Sequence, residues 1–123
     1  MLHTALVAFG SSLALAGAPI SLEVDASDVA RRTVNVKARV PVTPGTLVLH
    51  YPKWIPGEHG PTGPIDNVVG LQLLANGKPL TWRRDPIDMY ALHLEVPPGV
   101  SAIEERFDVV APTEGGAFSG SAI

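Results

Sequence analysis

Apolar and polar side chains alternate along most of this chain. Between positions 33 and 42, Val34, Val36, Ala38, Val40 and Val42 fall on one face, and Thr33, Asn35, Lys37 and Arg39 on the other. A period of two sustained this long predicts an antiparallel strand with one face in water. Pro41 has no N–H for a ladder, so the end of that strand is expected at an edge or outside the sheet. Shorter runs repeat the pattern at 20–24, 46–51, 68–75, 78–83, 89–96 and 101–110. Their inward sets are Ile20, Leu22 and Val24, then Leu47, Leu49 and Tyr51, then Leu80 and Trp82, then Leu92, Leu94 and Val96, and finally Ile103, Phe107 and Val109. Turn formers separate the runs at Asp25-Ala26-Ser27-Asp28, Pro44-Gly45, Asp85-Pro86 and Pro97-Pro98-Gly99. Asn76-Gly77 favours a two-residue hairpin, because both central positions need positive φ. About seven strands and no helix outside the N-terminus predict an all-β fold, an antiparallel β-sandwich.

Two stretches depart from the alternation at the chain's ends. Residues 1–18 are small and apolar, with Leu2, Leu6, Val7, Phe9, Leu13 and Leu15, and no charged side chain precedes Glu23. This is the shape of a secretory signal, and Ala14-Leu15-Ala16 supplies small residues at a cleavage zone. Its flank holds only His3 in place of the usual positive residues, so a buried N-terminal helix or a fragment start is the competing reading. From Pro112 on, Gly115, Gly116 and Gly120 give a linker composition. The expected organisation is a leader at 1–18, a sandwich at 19–112 and, at 113–123, a linker towards a catalytic domain. A secreted or periplasmic location follows from the leader.

The strand pattern also breaks at residues 51–64, Tyr-Pro-Lys-Trp-Ile-Pro-Gly-Glu-His-Gly-Pro-Thr-Gly-Pro. Four of these fourteen residues are proline and three are glycine, so no helix or continuous ladder passes through. Yet the loop holds Trp54 and Ile55, large apolar side chains whose direction the prolines restrict. Trp54 is either a plug on the domain's own core or an anchor and cleft wall for a neighbouring domain. Glu58 and His59 read either as a solvated pair or as a carboxylate placed to meet a peptide's amino terminus.

Charge and composition narrow the chemistry. A net charge of −3, without long runs of either sign, argues against nucleic acid and anionic membrane as partners. With no cysteine, disulfides and thiolate metal sites are excluded. The histidines His3, His50, His59 and His93 lack the His-Glu-x-x-His spacing that points two imidazoles at one zinc ion. No nucleophile elbow and no phosphate-binding glycine loop is present. Glu104 and Glu105 point to opposite faces of one strand and cannot act on one atom. The chain alone shows no catalytic residue, no metal ligand set and no cofactor.

Pro52, Trp54, Pro56 and Gly57 match in order and spacing the Pro-x-Trp-x-Pro-Gly segment of a known family. In this segment, and in Asn76-Gly77-Lys78-Pro79-Leu80, Trp82-Arg83-Arg84-Asp85 and Asp88-Met89-Tyr90, the chain resembles the N-terminal domain of the glycyl-aminopeptidase-type zinc metallopeptidases, the sixty-first metallopeptidase family. The resemblance covers roughly residues 19–112. His59 stands where the family often has tyrosine. The resemblance implies a noncatalytic accessory domain that packs on a catalytic domain absent from this chain and shapes access of a peptide substrate. Zinc is expected in that catalytic domain. Trp54, Ile55, Pro56, Gly57, Glu58 and His59 are then the candidates for the interdomain or cleft surface. The alternative is a free-standing sandwich module that binds a peptide or glycan.

Overall fold

The computed structural model describes residues 17–111, so the leader's apolar run and the linker expected at 113–123 lie outside the described residues. The strands are β1 (Ser21–Asp25), β2 (Thr33–Pro41), β3 (Gly45–His50), β4 (Val68–Ala75), β5 (Lys78–Pro79), β6 (Trp82–Arg84), β7 (Ala91–Val96) and β8 (Ala102–Val110). They form two antiparallel sheets, a five-stranded one in the order β1-β2-β8-β4-β5 and a three-stranded one in the order β3-β7-β6. Single 3-10 turns at Val29–Arg31 and Ile65–Asn67 are the helical elements among the described residues. None of the described helices is long and apolar enough to cross a membrane.

The long alternating strand read from the sequence is β2, which pairs with β8 over its whole length, from Thr33↔Val110 to Pro41↔Ala102. Pro41 is its last residue, and β1 has already stopped at Ser21↔Arg39, so no neighbour is left wanting the missing N–H. Asn76 and Gly77 both take positive φ, 50° and 77°, as a two-residue hairpin turn requires. β4 carries a bulge between Val69 and Gln72, where Gly70 takes φ 65°. That extra residue resets the strand's phase, so that Leu71, Leu73 and Ala75 face inward beyond it.

The run at 78–83 is two strands rather than one. β5 stays with β4 in the first sheet, whereas β6 pairs with β7 in the second, Trp82 opposite Leu94. Pro79 has no N–H to extend the first ladder, and the chain uses Leu80 and Thr81 to cross between sheets. The Leu80 amide still donates to the Leu73 carbonyl at 2.8 Å, which anchors the crossing. At the other side, residues 42–44 carry the chain from β2 to β3, and the Val42 amide donates to Ser101 at 3.0 Å. These short crossings set β3 over the β2 side and β6 over the β5 side.

The core lies at this crossing end. Leu73, Ala75, Leu94, Val96, Val100 and Ile103 form one buried cluster, with Trp82, Leu47 and Leu49 packed against it. Ile103 has no exposed surface at all. Burying such side chains contributes about 1.5–3 kcal/mol each. At the opposite end the sheets part and leave an apolar cleft of about 400 Å³, lined by Ile20, Leu22, Val40, Tyr51, Ile65 and Phe107 among others.

Candidate functional site

The loop that breaks the strand pattern lies at the open end, between β3 and β4. Its turn is legible in its residues: the Glu58 amide donates to the Ile55 carbonyl at 3.0 Å, with Pro56 and Gly57 between them. Gly57 takes φ 92°, the positive value required at the third position of a type II turn, and proline suits the second. The two arms of the loop then close on each other, the Gly63 amide donating to the Lys53 carbonyl at 2.9 Å. A Cβ at Gly63 would lie 2.0 Å from the Pro52 carbonyl oxygen, so only glycine permits this approach.

A second loop, residues 85–90 between β6 and β7, holds the first in place. Lys53 Nζ donates to Asp88 Oδ2 at 3.1 Å, and the Tyr90 hydroxyl reaches the carbonyls of Pro61 and Gly63 at 2.8 and 3.1 Å. The Tyr51 amide donates to Tyr90 at 2.9 Å, continuing the β3–β7 ladder into the base of the pair. Each bond on this exposed rim is modest, the solvent-screened Lys53–Asp88 pair included. Together they fix two loops at several points.

The second loop is organised by its aspartates. The Asp85 carboxylate accepts the amides of Ile87 and Asp88, both at 2.9 Å, and lies 2.8 Å from Nε2 of His93. The amides first, and His93 after them, hold its pKa down to about 2. Asp88 is lowered as well, by the Lys53 ammonium and by the Tyr90 amide. Burial pushes the Tyr51 phenol up. Asp85 and Asp88 are therefore charged and fully engaged in building the loop.

What the loop pair displays is apolar. Trp54 is 61 % exposed, Ile87 95 % and Met89 50 %, all on the two latched loops. At that exposure Trp54 is not buried in the domain's own core. Ile55 is half-buried, while Pro56, Gly57, Glu58 and His59 are exposed. The sequence candidates thus share one loop, but sequence reasoning missed Ile87 and Met89. The available signal was an Asp-Pro-Ile-Asp-Met stretch that carries large apolar residues among turn formers, as the Trp54 loop does. No group of three potential metal ligands occurs among the described residues. The arrangement suits contact with an apolar surface, since large exposed aromatic and aliphatic tips on restrained loops lose little entropy on docking.

Comparison with known proteins places this geometry. The family model of the Peptidase M61 N-terminal domain matches residues 21–120. Among solved structures, an aminopeptidase N family protein from Idiomarina loihiensis superposes with a TM-score of 0.65 at 20 % identity. That match covers 76 % of this chain and 15 % of the other, so the shared fold is a small part of a much longer protein. No curated protein matches. With the family model spanning most of the sandwich, the chain belongs to the Peptidase M61 family, of which it carries the N-terminal domain.

Proposed function

We propose that this domain is the noncatalytic front of an exported, glycyl-aminopeptidase-like zinc metallopeptidase, docked on the catalytic domain through its two latched loops and shaping access of the peptide substrate. The observation that carries this reading is the display of Trp54, Ile87 and Met89 together on restrained loops. The chain also leaves β8 at the same end of the sandwich. Val68, which follows the Trp54 loop, pairs with Val109 one residue before β8 stops. A following domain would therefore begin beside the apolar tips. Export is supported by the apolar, uncharged residues 1–18.

Among the described residues no group of three potential metal ligands occurs. In this reading zinc belongs to the remainder of the enzyme, where it would activate the attacking water. The contribution of this chain is binding and shape. Glu58 and His59, exposed beside Trp54, are the polar groups available to a substrate's amino terminus at the cleft rim. Translating the DNA downstream of the Ile123 codon tests the proposal. A frame running on into His-Glu-x-x-His is the expected result, and a stop codon directly after Ile123 would contradict it.

A further inference from the structure

One acidic side chain sits where the strand pattern calls for an apolar one. Glu105 on β8 takes the inward phase of Ile103 and Phe107, in register with Ala38 on one side and Leu73 on the other. Those two neighbours are 6 % and 1 % exposed. A carboxyl in the middle of an inner sheet face is costly unless it is hydrogen-bonded or paired. Among the described residues Glu105 has no such partner, and burial, unopposed by any cation, raises its carboxyl pKa. It lines the cleft of about 400 Å³ between the parted sheets.

That cleft has the make-up of a small-molecule site. Its volume falls within the roughly 300–1,000 Å³ usual for such sites, and its walls are mostly apolar with few polar groups. Leu49, Ile65, Leu71 and Phe107 line it, and Ile20 and Leu22 add a wall on which no described residue closes, each 65 % exposed. Glu105 is the acid of the lining; His50, Tyr51 and Arg84 are its other polar side chains. Of these the Arg84 guanidinium is engaged, donating to the Met89 carbonyl.

We propose that the cleft binds a small molecule with an apolar body and a primary ammonium group, the body covering Ile20 and Leu22 and the ammonium meeting the Glu105 carboxylate. Charge complementarity selects this occupant. A pure hydrocarbon would seal the carboxyl from water without giving it a donor, and an anion would be repelled by it. An ammonium brings three donors, and its bond to a carboxylate is about twice as strong as a neutral one. Cover for the apolar wall and a donor for the acid then come from one molecule. The proposal draws only on described residues, and it stands or falls apart from the docking of the Trp54 loop.

The test is an NMR-monitored titration of the 123-residue chain with phenethylamine, phenethyl alcohol and phenylacetate, which share one apolar body and differ in the head group. At about pH 8, where an ordinary glutamate is ionised, phenethylamine should shift the resonances of Leu22, Leu73 and Phe107. It should bind about tenfold tighter than the alcohol, and phenylacetate more weakly than either. Glu105→Gln should abolish the preference for the amine and leave the alcohol's affinity unchanged. Leu22→Ala, in the wall, should weaken amine and alcohol alike. Equal binding of amine and alcohol, a preference that survives Glu105→Gln, or no shift of those resonances with any probe would overturn the site. Nuclear Overhauser contacts from residues 1–16 or 112–123 to Leu22 and Phe107 would overturn it too, since the chain itself would then fill the cleft.

Discussion

The two ends of this sandwich are built on different terms. At the crossing end, two short connections tie the sheets together, and Leu73, Leu94, Val96 and Ile103 fill the space between them. Towards the other end the sheets part and the structure is held at the rim by polar contacts between two loops, while the apolar row of β1 lies bare along the sheet's edge. One end is stabilised by what it buries within the domain. The other is shaped by hydrogen bonds and leaves its apolar surface outward.

The largest effect that contrast predicts is on stability. Ile103→Ala, in the packed end, should cost about 2–5 kcal/mol in urea unfolding, whereas Leu22→Ala in the bare row should change it by less than about 0.5 kcal/mol. Equal losses would mean that the open end is a second core. Gly63→Ala comes next, at about 1–3 kcal/mol, because the new methyl group meets the Pro52 carbonyl and the loop must shift. Its signature would be perturbed NMR resonances for Lys53 and Tyr90 with those of Ile103 unchanged. Tyr90→Phe is smaller, about 0.5–1.5 kcal/mol, since only the hydroxyl contacts to Pro61 and Gly63 are lost.

The smallest effect is in the pH dependence, and the two ends of the charge scale oppose each other. The folded state holds Asp85 at about 2, below its ordinary 3.8. Its contribution is therefore complete above about pH 4 and is lost as the pH falls towards 2. Glu105 is raised above its ordinary 4.5 by burial, so it favours the folded state when protonated and weakens it as the pH rises through that range. In acid titrations of stability, Asp85→Asn should flatten the fall below pH 4. Glu105→Gln should remove the opposing slope above pH 4.5. An unchanged acid limb in Asp85→Asn would show that the second loop is not organised by that carboxylate.

Most of the fold was legible because period two reports the inner face directly. The strands, the Asn76-Gly77 turn and the Ile55-Pro56-Gly57-Glu58 turn all follow from local rules. Three features were not. The division of 78–83 into β5 and β6 depends on which sheet each half joins, and a run of six residues carries no mark of that. Glu105 shares its phase with Ile103 and Phe107, yet its charge suggests the wet face, and only the uncovered cleft explains how it is tolerated inward. Met89 looked like the start of a strand, whereas Asp85 and Asp88 bind the backbone around it into a loop. As for the site, composition identified the Trp54 loop but left its direction open. Exposure of Trp54 depends on the latch to Tyr90 and Asp88, which are more than thirty residues downstream.

Quenching of Trp54 fluorescence by iodide tests the central claim most directly, with Trp82→Phe introduced and any tryptophan encoded beyond Ile123 replaced by phenylalanine, so that a single indole reports. In the 123-residue chain the indole should be quenched almost as freely as a short tryptophan peptide. In the longer product of the reading frame it should be shielded severalfold, if the loop pair docks on a following domain as proposed. Equal and free quenching in both chains would contradict the account, for it would mean that Trp54, Ile87 and Met89 do not form the proposed docking surface.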